Sequence, residues 1–382
     1  MDHPQYSTLL DALAAIPDPR HARGKQLEWS FILGVIASAL LSQQRSVAAM
    51  AQWAHEHAAS LVAAFRPHRQ RVPSEATLRR ALRQVDIQHL EAQLSQLRVR
   101  RARTPTKARV RPVQGYAVDG KYVRGAGTHG RQTLLVSVVR HSDAQVIAQR
   151  TVAPHQHEGK AITQLLAGRD LRGMVVTLDA GLTDSKLAQH ILAQGGHYLM
   201  VVKRNQAQLY QDLVWYFDTP PLPCDRPWRT HHTLTKGHGR LEERVLTCRD
   251  DLDDYLIWPG VQQVLQRRCE RRVLKTGSVT QATSYALTSV PATDAAAADL
   301  AQWWREHWTI ENKVHYVRDV TLGEDAHQMH TGQAPQVLAA LRNAVLNLVR
   351  AAGWTNMAAA LRHYSYTPTA ALHFIGVPAP RL

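Results

Sequence analysis

An α/β chain is expected here: a mixed β-sheet flanked by helices, carrying a β-rich insertion and preceded by an all-helical domain. Three observations lead to that expectation. Residues 1 to about 97 keep apolar side chains at helical spacing. From Gly115 the pattern changes to short apolar strands in the order β-β-β-α-β-α-β, with helices separating the later strands. Residues 206–290 break that alternation with repeated short strands.

In the first region, Phe31–Leu41 reads as an apolar helix. Ser46–His57 places Val47, Met50, Ala51 and Ala54 at helical spacing. Ser74 is a candidate cap for a helix with Thr77, Leu78, Ala81, Leu82 and Val85 on one side. A basic linker, 98–112, follows; residues 98–111 hold seven Lys/Arg and no acid, which fits a solvated connector or a phosphate contact.

Tyr116–Val118 then leads as a strand into Asp119. Residues 133–140 and 145–152 form a meander around Ser142-Asp143. A helix is expected over 158–168, and a buried strand over 173–178 that ends at Asp179. The helix over 184–194 stops at Gly195-Gly196, and His197–Lys203 is another strand. Helices over 295–318 and 334–352 close the chain. The expected division is a helical domain, 1–97, the linker, 98–112, and an α/β domain, 113–382, with the 206–290 insertion inside it.

Composition narrows the function. Among 382 residues, 46 Lys+Arg against 31 Asp+Glu leave a net charge of +15, which favours a polyanionic partner. The longest apolar run, Phe31–Leu41, is interrupted by Gly34 and Ser38 and is far short of the roughly 20 residues of a spanning helix. The N-terminus lacks the layout of a signal peptide. Cys224, Cys248 and Cys269 are too few for a disulfide framework or a zinc site, so a cytoplasmic protein with reduced thiols is expected. His155 and His157 have a metal-like spacing without a third ligand in view, and read as loop residues.

Asp119 and Asp179 each end an apolar strand, where α/β sheets carry ligands. Small residues follow both, Gly120 and Ala180-Gly181, and leave room for a bulky ligand. Either acid alone could simply form a turn. A third acid on a helix would complete a hard-oxygen site for Mg²⁺. In 303–320, Glu311 falls on one helical face with Trp304, His307 and Arg318 if the turn holds 3.6 residues. Spacing alone leaves Asp184, Asp319, Glu324 and Asp325 as competitors, with Asp319 and Glu324 read as capping or ion-pair residues.

Six stretches in order resemble the DDE transposases of bacterial insertion sequences, specifically the ISAs-type, H-repeat-associated branch. They are AVDGKYVRG (117–125), VTLDAGLTD (176–184), YLMVVKRNQ (198–206), KGHGRLEER (236–244), YALTSVPA (285–292) and REHWTIENKVHYVRDVTLGED (305–325). PSEATLRRAL in the helical region is similar to the family's associated domain. The resemblance covers nearly the whole chain and implies an RNase H-like fold with a β-rich insertion. It assigns Asp119, Asp179 and Glu311 as catalytic, metal-binding carboxylates.

The implied activity is Mg²⁺-dependent DNA cleavage and 3′-hydroxyl strand transfer, using two ions, with Mn²⁺ as a substitute. The implied partners are duplex DNA, as terminal inverted repeats and target, and a second copy of the chain on that DNA. A nuclease without strand transfer and a decayed copy that only binds DNA are the alternatives. Lys121, Lys203, Arg204, Asn205, His307 and Arg318 are the expected DNA contacts. Trp304 and His307 depart from the group's usual Tyr and Arg at those positions, and Arg204 stands where a Gly is usual. Trp303, Trp304 and Trp308 read as core residues.

Overall fold

The computed structural model describes residues 6–97, 113–128, 131–153, 155–218, 228–252 and 256–378. The basic linker and Cys224 lie outside them. Six helices come first: α1 (Leu9–Ala14), α2 (Trp29–Leu41), α3 (Val47–Glu56), α4 (Ala58–Phe65), α5 (Glu75–Gln84) and α6 (Ile87–Ser95). Their starts are written in short polar side chains. Thr8 and Asp11 form a capping box on α1, and Ser46 and Ser74 accept backbone N–H bonds at the starts of α3 and α5.

Helix α2 is buried at every position except Ser30. A helix with no polar face needs cover all round. The N-terminal helices supply only part of it. The rest comes from the other end of the chain, α11 (Ala334–Ala351), α12 (Met357–Tyr366) and α13 (Pro368–Ile375), so one apolar core joins both ends. Among the described residues no helix is long and apolar enough to cross a membrane.

One nine-stranded sheet, in the order β3-β2-β1-β4-β5-β9-β8-β7-β6, organises the remainder. Strands β1 (Gln114–Thr128), β2 (Arg131–Arg140) and β3 (Val146–Thr151) form the expected antiparallel meander. Strands β4 (Met174–Leu178) and β5 (His197–Val202) run parallel to β1. The insertion supplies β6 (Arg229–Gly237), β7 (Arg240–Arg249), β8 (Gln263–Val273) and β9 (Val279–Thr288), and β9 pairs with β5. It therefore extends the central sheet instead of forming a separate one. The mixed sheet with flanking helices agrees with the RNase H-like architecture that the resemblance implies.

Helices α7 (Glu158–Leu166), α8 (Ser185–Ala193) and α9 (Ala207–Asp218) cover one face of this sheet. Gly195, at φ 79°, takes the left-handed turn that ends α8. Helix α10 (Ala297–Glu306) covers the other face through Trp303 and Trp304. The expected single helix over 295–318 differs in the structure. After α10 the chain winds as a π-helix over Ile310–His315 and again over Val317–Thr321. The Leu322 N–H donates to the carbonyl of Val317 at 3.0 Å, five residues back.

Candidate active site

Strand β1 runs past the point where the sequence places its end. Asp119 therefore lies inside it, opposite Ser137 of β2. On the parallel neighbour, Val118 pairs with Leu178, so Asp119 and Asp179, the first residue after β4, occupy the next step side by side. Ala117 shares a sheet face with Asp119 and packs against Ile310 and Val314 of the π-helix. That contact brings the segment bearing Glu311 over the two aspartates.

The turn after Asp179 is closely held. Asp179 Oδ1 accepts from the Leu182 N–H at 3.1 Å, and the Thr183 hydroxyl reaches the carbonyls of Asp179 and Val201 at 3.1 and 2.6 Å. Asn205 Nδ2 donates to the Ala180 carbonyl at 2.6 Å, and Gln206 Nε2 to the Thr183 carbonyl at 2.9 Å. Asn205, expected as a DNA contact, thus clamps the loop that carries Asp179.

Electrostatics ties the acids together. Burial first, and then the charges of Asp179, Glu158 and Glu311, push Asp119 up to about 7, against an opposing bond from the Gly120 N–H. Glu158 is an acid that sequence reasoning missed. It opens α7 on the opposite sheet face, and its own pKa is raised by burial and by Asp179. A Cβ on Gly120 would overlap the Glu158 carboxylate, so the glycine makes the space that lets this acid approach. Glu311 is exposed, and among the described residues its carboxylate makes no hydrogen bond or ion pair. As they stand, no three His, Cys, Asp or Glu side chains among the described residues are grouped to hold a metal ion.

Histidines line the inner wall. His315 Nδ1 is 3.6 Å from Asp119 Oδ2, yet burial, followed by Arg318 and Lys121, drives His315 down to about 3, so it is neutral at pH 7. His307 Nδ1 meets Thr177 Oγ1 at 3.0 Å, and His141 Nε2 meets the same hydroxyl at 3.1 Å. Burial, then His141, takes His307 to about 4. A half-buried, neutral His307 offers DNA no positive charge.

Two more expected contacts are corrected in the same way. Lys121 is buried, with Nζ 2.6 Å from Asp319 and 3.3 Å from Asp325. Arg318 is fully buried and grips Glu324 through Nε at 3.0 Å and Nη2 at 2.6 Å, with Arg342 3.2 Å from the same carboxylate. Asp319 and Glu324 are thereby ion-pair residues. The wider π turn rotates Arg318 off the face of Glu311. Lys203 and Arg204 are exposed beside the Asn205 clamp. Trp303 and Trp304 are core, whereas Trp308 is 53% exposed and is not.

Comparison with known proteins gives the family. A family model described as DDE_Tnp_1-associated matches residues 10–97, and one described as Transposase DDE domain matches residues 99–348. The chain is 28% identical over 243 residues to the H repeat-associated putative transposase YhhI of Escherichia coli (strain K12), covering 61% of this chain and 63% of that protein. The putative protein YbfL of the same organism gives 28% over 243 residues, with the same coverage of 61% and 63%. An uncharacterized protein in the dhlA 3′ region of Xanthobacter autotrophicus is 30% identical over 281 residues, which is 68% of this chain and 91% of that protein. The chain thus spans slightly less than two thirds of the length of these two Escherichia coli relatives.

Proposed function

The chain belongs to the DDE transposase family, and from that premise we propose that it cleaves DNA strands and transfers 3′-hydroxyl ends, acting at the termini of its own insertion sequence. The observation that carries this reading is the adjacency of Asp119 in β1 and Asp179 just past the end of the parallel strand β4, beneath the segment bearing Glu311. Three carboxylates from two strands and one helix are hard donors suited to Mg²⁺, in the number of two ions, with Mn²⁺ as a substitute. The clustering of Asp119 with the charges of Asp179, Glu158 and Glu311 supports the fit, because a cation bound there would favour their ionised forms. When bound, such ions stabilise the attacking and leaving oxygens of an in-line phosphoryl displacement.

The protein's own groups supply position. Asp119, Asp179 and Glu311 would hold the ions. Thr183 and Asn205 fix the turn that aims Asp179. Neutral His315 packs beside Asp119 without competing for its charge. Exposed Lys203 and Arg204 would meet phosphates next to the scissile bond. The substrates in this reading are duplex terminal repeats and target DNA, with a second copy of the chain joining two ends.

The test is cleavage and joining by the purified chain with Mg²⁺, on labelled duplexes carrying the sequences that flank its gene. Asp119→Asn, Asp179→Asn and Glu311→Gln should each abolish both steps. Cleavage that persists in these variants would sink the assignment. Cleavage by the unaltered chain without joining would identify a nuclease.

A further inference from the structure

The two faces of the insertion differ in charge. In an antiparallel ladder, residues opposite one another share a face, and so do alternate residues along a strand. Arg244 lies opposite Cys269, Leu246 opposite Arg267, Glu242 opposite Arg271, and Arg240 opposite Val273. Arg240, Arg244, Arg267 and Arg271 therefore share one face of β7 and β8, where Glu242 is the acid on those strands. Lys236, Arg268 and Arg272 occupy the other face together with Glu243 and Glu270, and these acids pair locally with His232 and Arg272.

The arginine face is also the one on which α10 lies. At its root Leu246, Cys248 and Leu265 pack against Trp303 and Trp304. The Arg267 guanidinium stacks 4.4 Å above the Trp304 ring, and among the described residues it has no carboxylate partner. Arg305, the next residue of α10, is exposed and close enough to repel Arg244. Glu242 is shared between Arg244 and Arg271, so it balances one charge of the group. Burial and this mutual repulsion lower the pKa of both Arg244 and Arg267. Such a cluster is short of anions, and its planar guanidinium groups match phosphate oxygens.

We propose that the β7–β8 face bearing Arg240, Arg244, Arg267 and Arg271, continued by Arg305 of α10, is a binding track for the phosphate backbone of duplex DNA. Charge complementarity selects that occupant. The track leads along α10 toward Glu311, six residues beyond Arg305, so a duplex held there is delivered to the carboxylates. The inference rests on the chain acting on DNA, but it concerns binding and not chemistry.

The test is fluorescence anisotropy of the full chain with a labelled duplex of about 30 base pairs across a range of salt concentrations. Replacing Arg244, Arg271 and Arg305 by Gln should weaken binding on the order of tenfold or more. It should also flatten the slope of log affinity against log salt by about one for each phosphate that no longer meets an arginine. Replacing Lys236, Arg268 and Arg272 by Gln removes equal charge from the opposite face and should change the affinity less than threefold. Glu242→Gln should tighten binding, a direction that misfolding cannot mimic. Equal losses from the two faces, or a Glu242→Gln variant that binds no tighter, would overturn the proposal. Binding is measured without divalent metal, where no cleavage occurs, so failed cleavage and a failed track are read separately.

Discussion

The Lys121 ammonium stands 2.6 Å from the Asp319 carboxylate, and so fastens the strand that carries Asp119 to the π-helical segment that carries Glu311. Glu324, held by Arg318 and Arg342, is 4.0 Å from the same ammonium. A charge buried among partners is costly to strip of one of them. Lys121→Met should therefore destabilise the fold by about 3 kcal/mol in urea unfolding. The salt slope of duplex binding should not change. A shallower slope at unaltered stability would restore Lys121 as a phosphate contact.

Gly120 and Glu158 give a second, sharper prediction. Gly120→Ala drives a methyl group into the Glu158 carboxylate, the far end of a flexible side chain, so the acid should swing aside at a cost below about 1 kcal/mol. Glu158→Ala empties the space. In a double-mutant cycle whatever loss Gly120→Ala causes should disappear in the Glu158→Ala background. Additive losses would mean that the two residues do not share this space.

Both pairs show where sequence reading succeeds and where it stops. Apolar strands ending in acids made Asp119 and Asp179 visible, because strand periodicity is local and strong. Glu311 could be separated from Asp319, Glu324 and Asp325 only by resemblance, since spacing leaves every one of these acids open. The expected alignment of Glu311 with Arg318 assumed 3.6 residues per turn, and the π winding breaks it. Lys121 reads as a surface cation because its partners lie some 200 residues downstream. Glu158 comes from a helix on the far face of the sheet, and no nearby residue announces it. Burial of α2 by the last three helices had a signal after all: Phe31–Leu41 has no polar face.

Stability should depend on pH through Glu91. Burial pushes this carboxyl up to about 7 from 4.5, against a bond from the Gln149 amide at 3.2 Å and the charge of Arg150. The folded state therefore binds its proton more tightly than the unfolded chain does. The sign follows: stability associated with Glu91 is full below the unfolded value, falls as pH rises from about 4.5 to about 7, and is level above that. The loss could reach about 3 kcal/mol at one proton. Urea midpoints at about pH 5 and pH 8 should differ less in Glu91→Gln than in the unaltered chain. An equal difference in both proteins would assign the dependence to other groups.

Asn205 and Arg204 are neighbours in sequence and should fail differently. Asn205 and Arg204 are both exposed, but Asn205 Nδ2 donates to the Ala180 carbonyl, one residue after Asp179, whereas Arg204 makes no such bond among the described residues. Asn205→Ala releases the turn, and a carboxylate displaced by about 1 Å can cost on the order of a hundredfold in rate. That loss should appear in the cleavage rate at saturating DNA, with duplex affinity nearly unchanged. Arg204→Ala should do the reverse, weakening affinity and the salt slope while the saturated rate holds. Asn205→Asp keeps the shape but replaces the donor with an acceptor facing a carbonyl, so it should be at least as slow as Asn205→Ala. A normal rate in Asn205→Asp would show that the amide donor does not position Asp179, and a loss confined to affinity in Asn205→Ala would return the residue to the DNA surface.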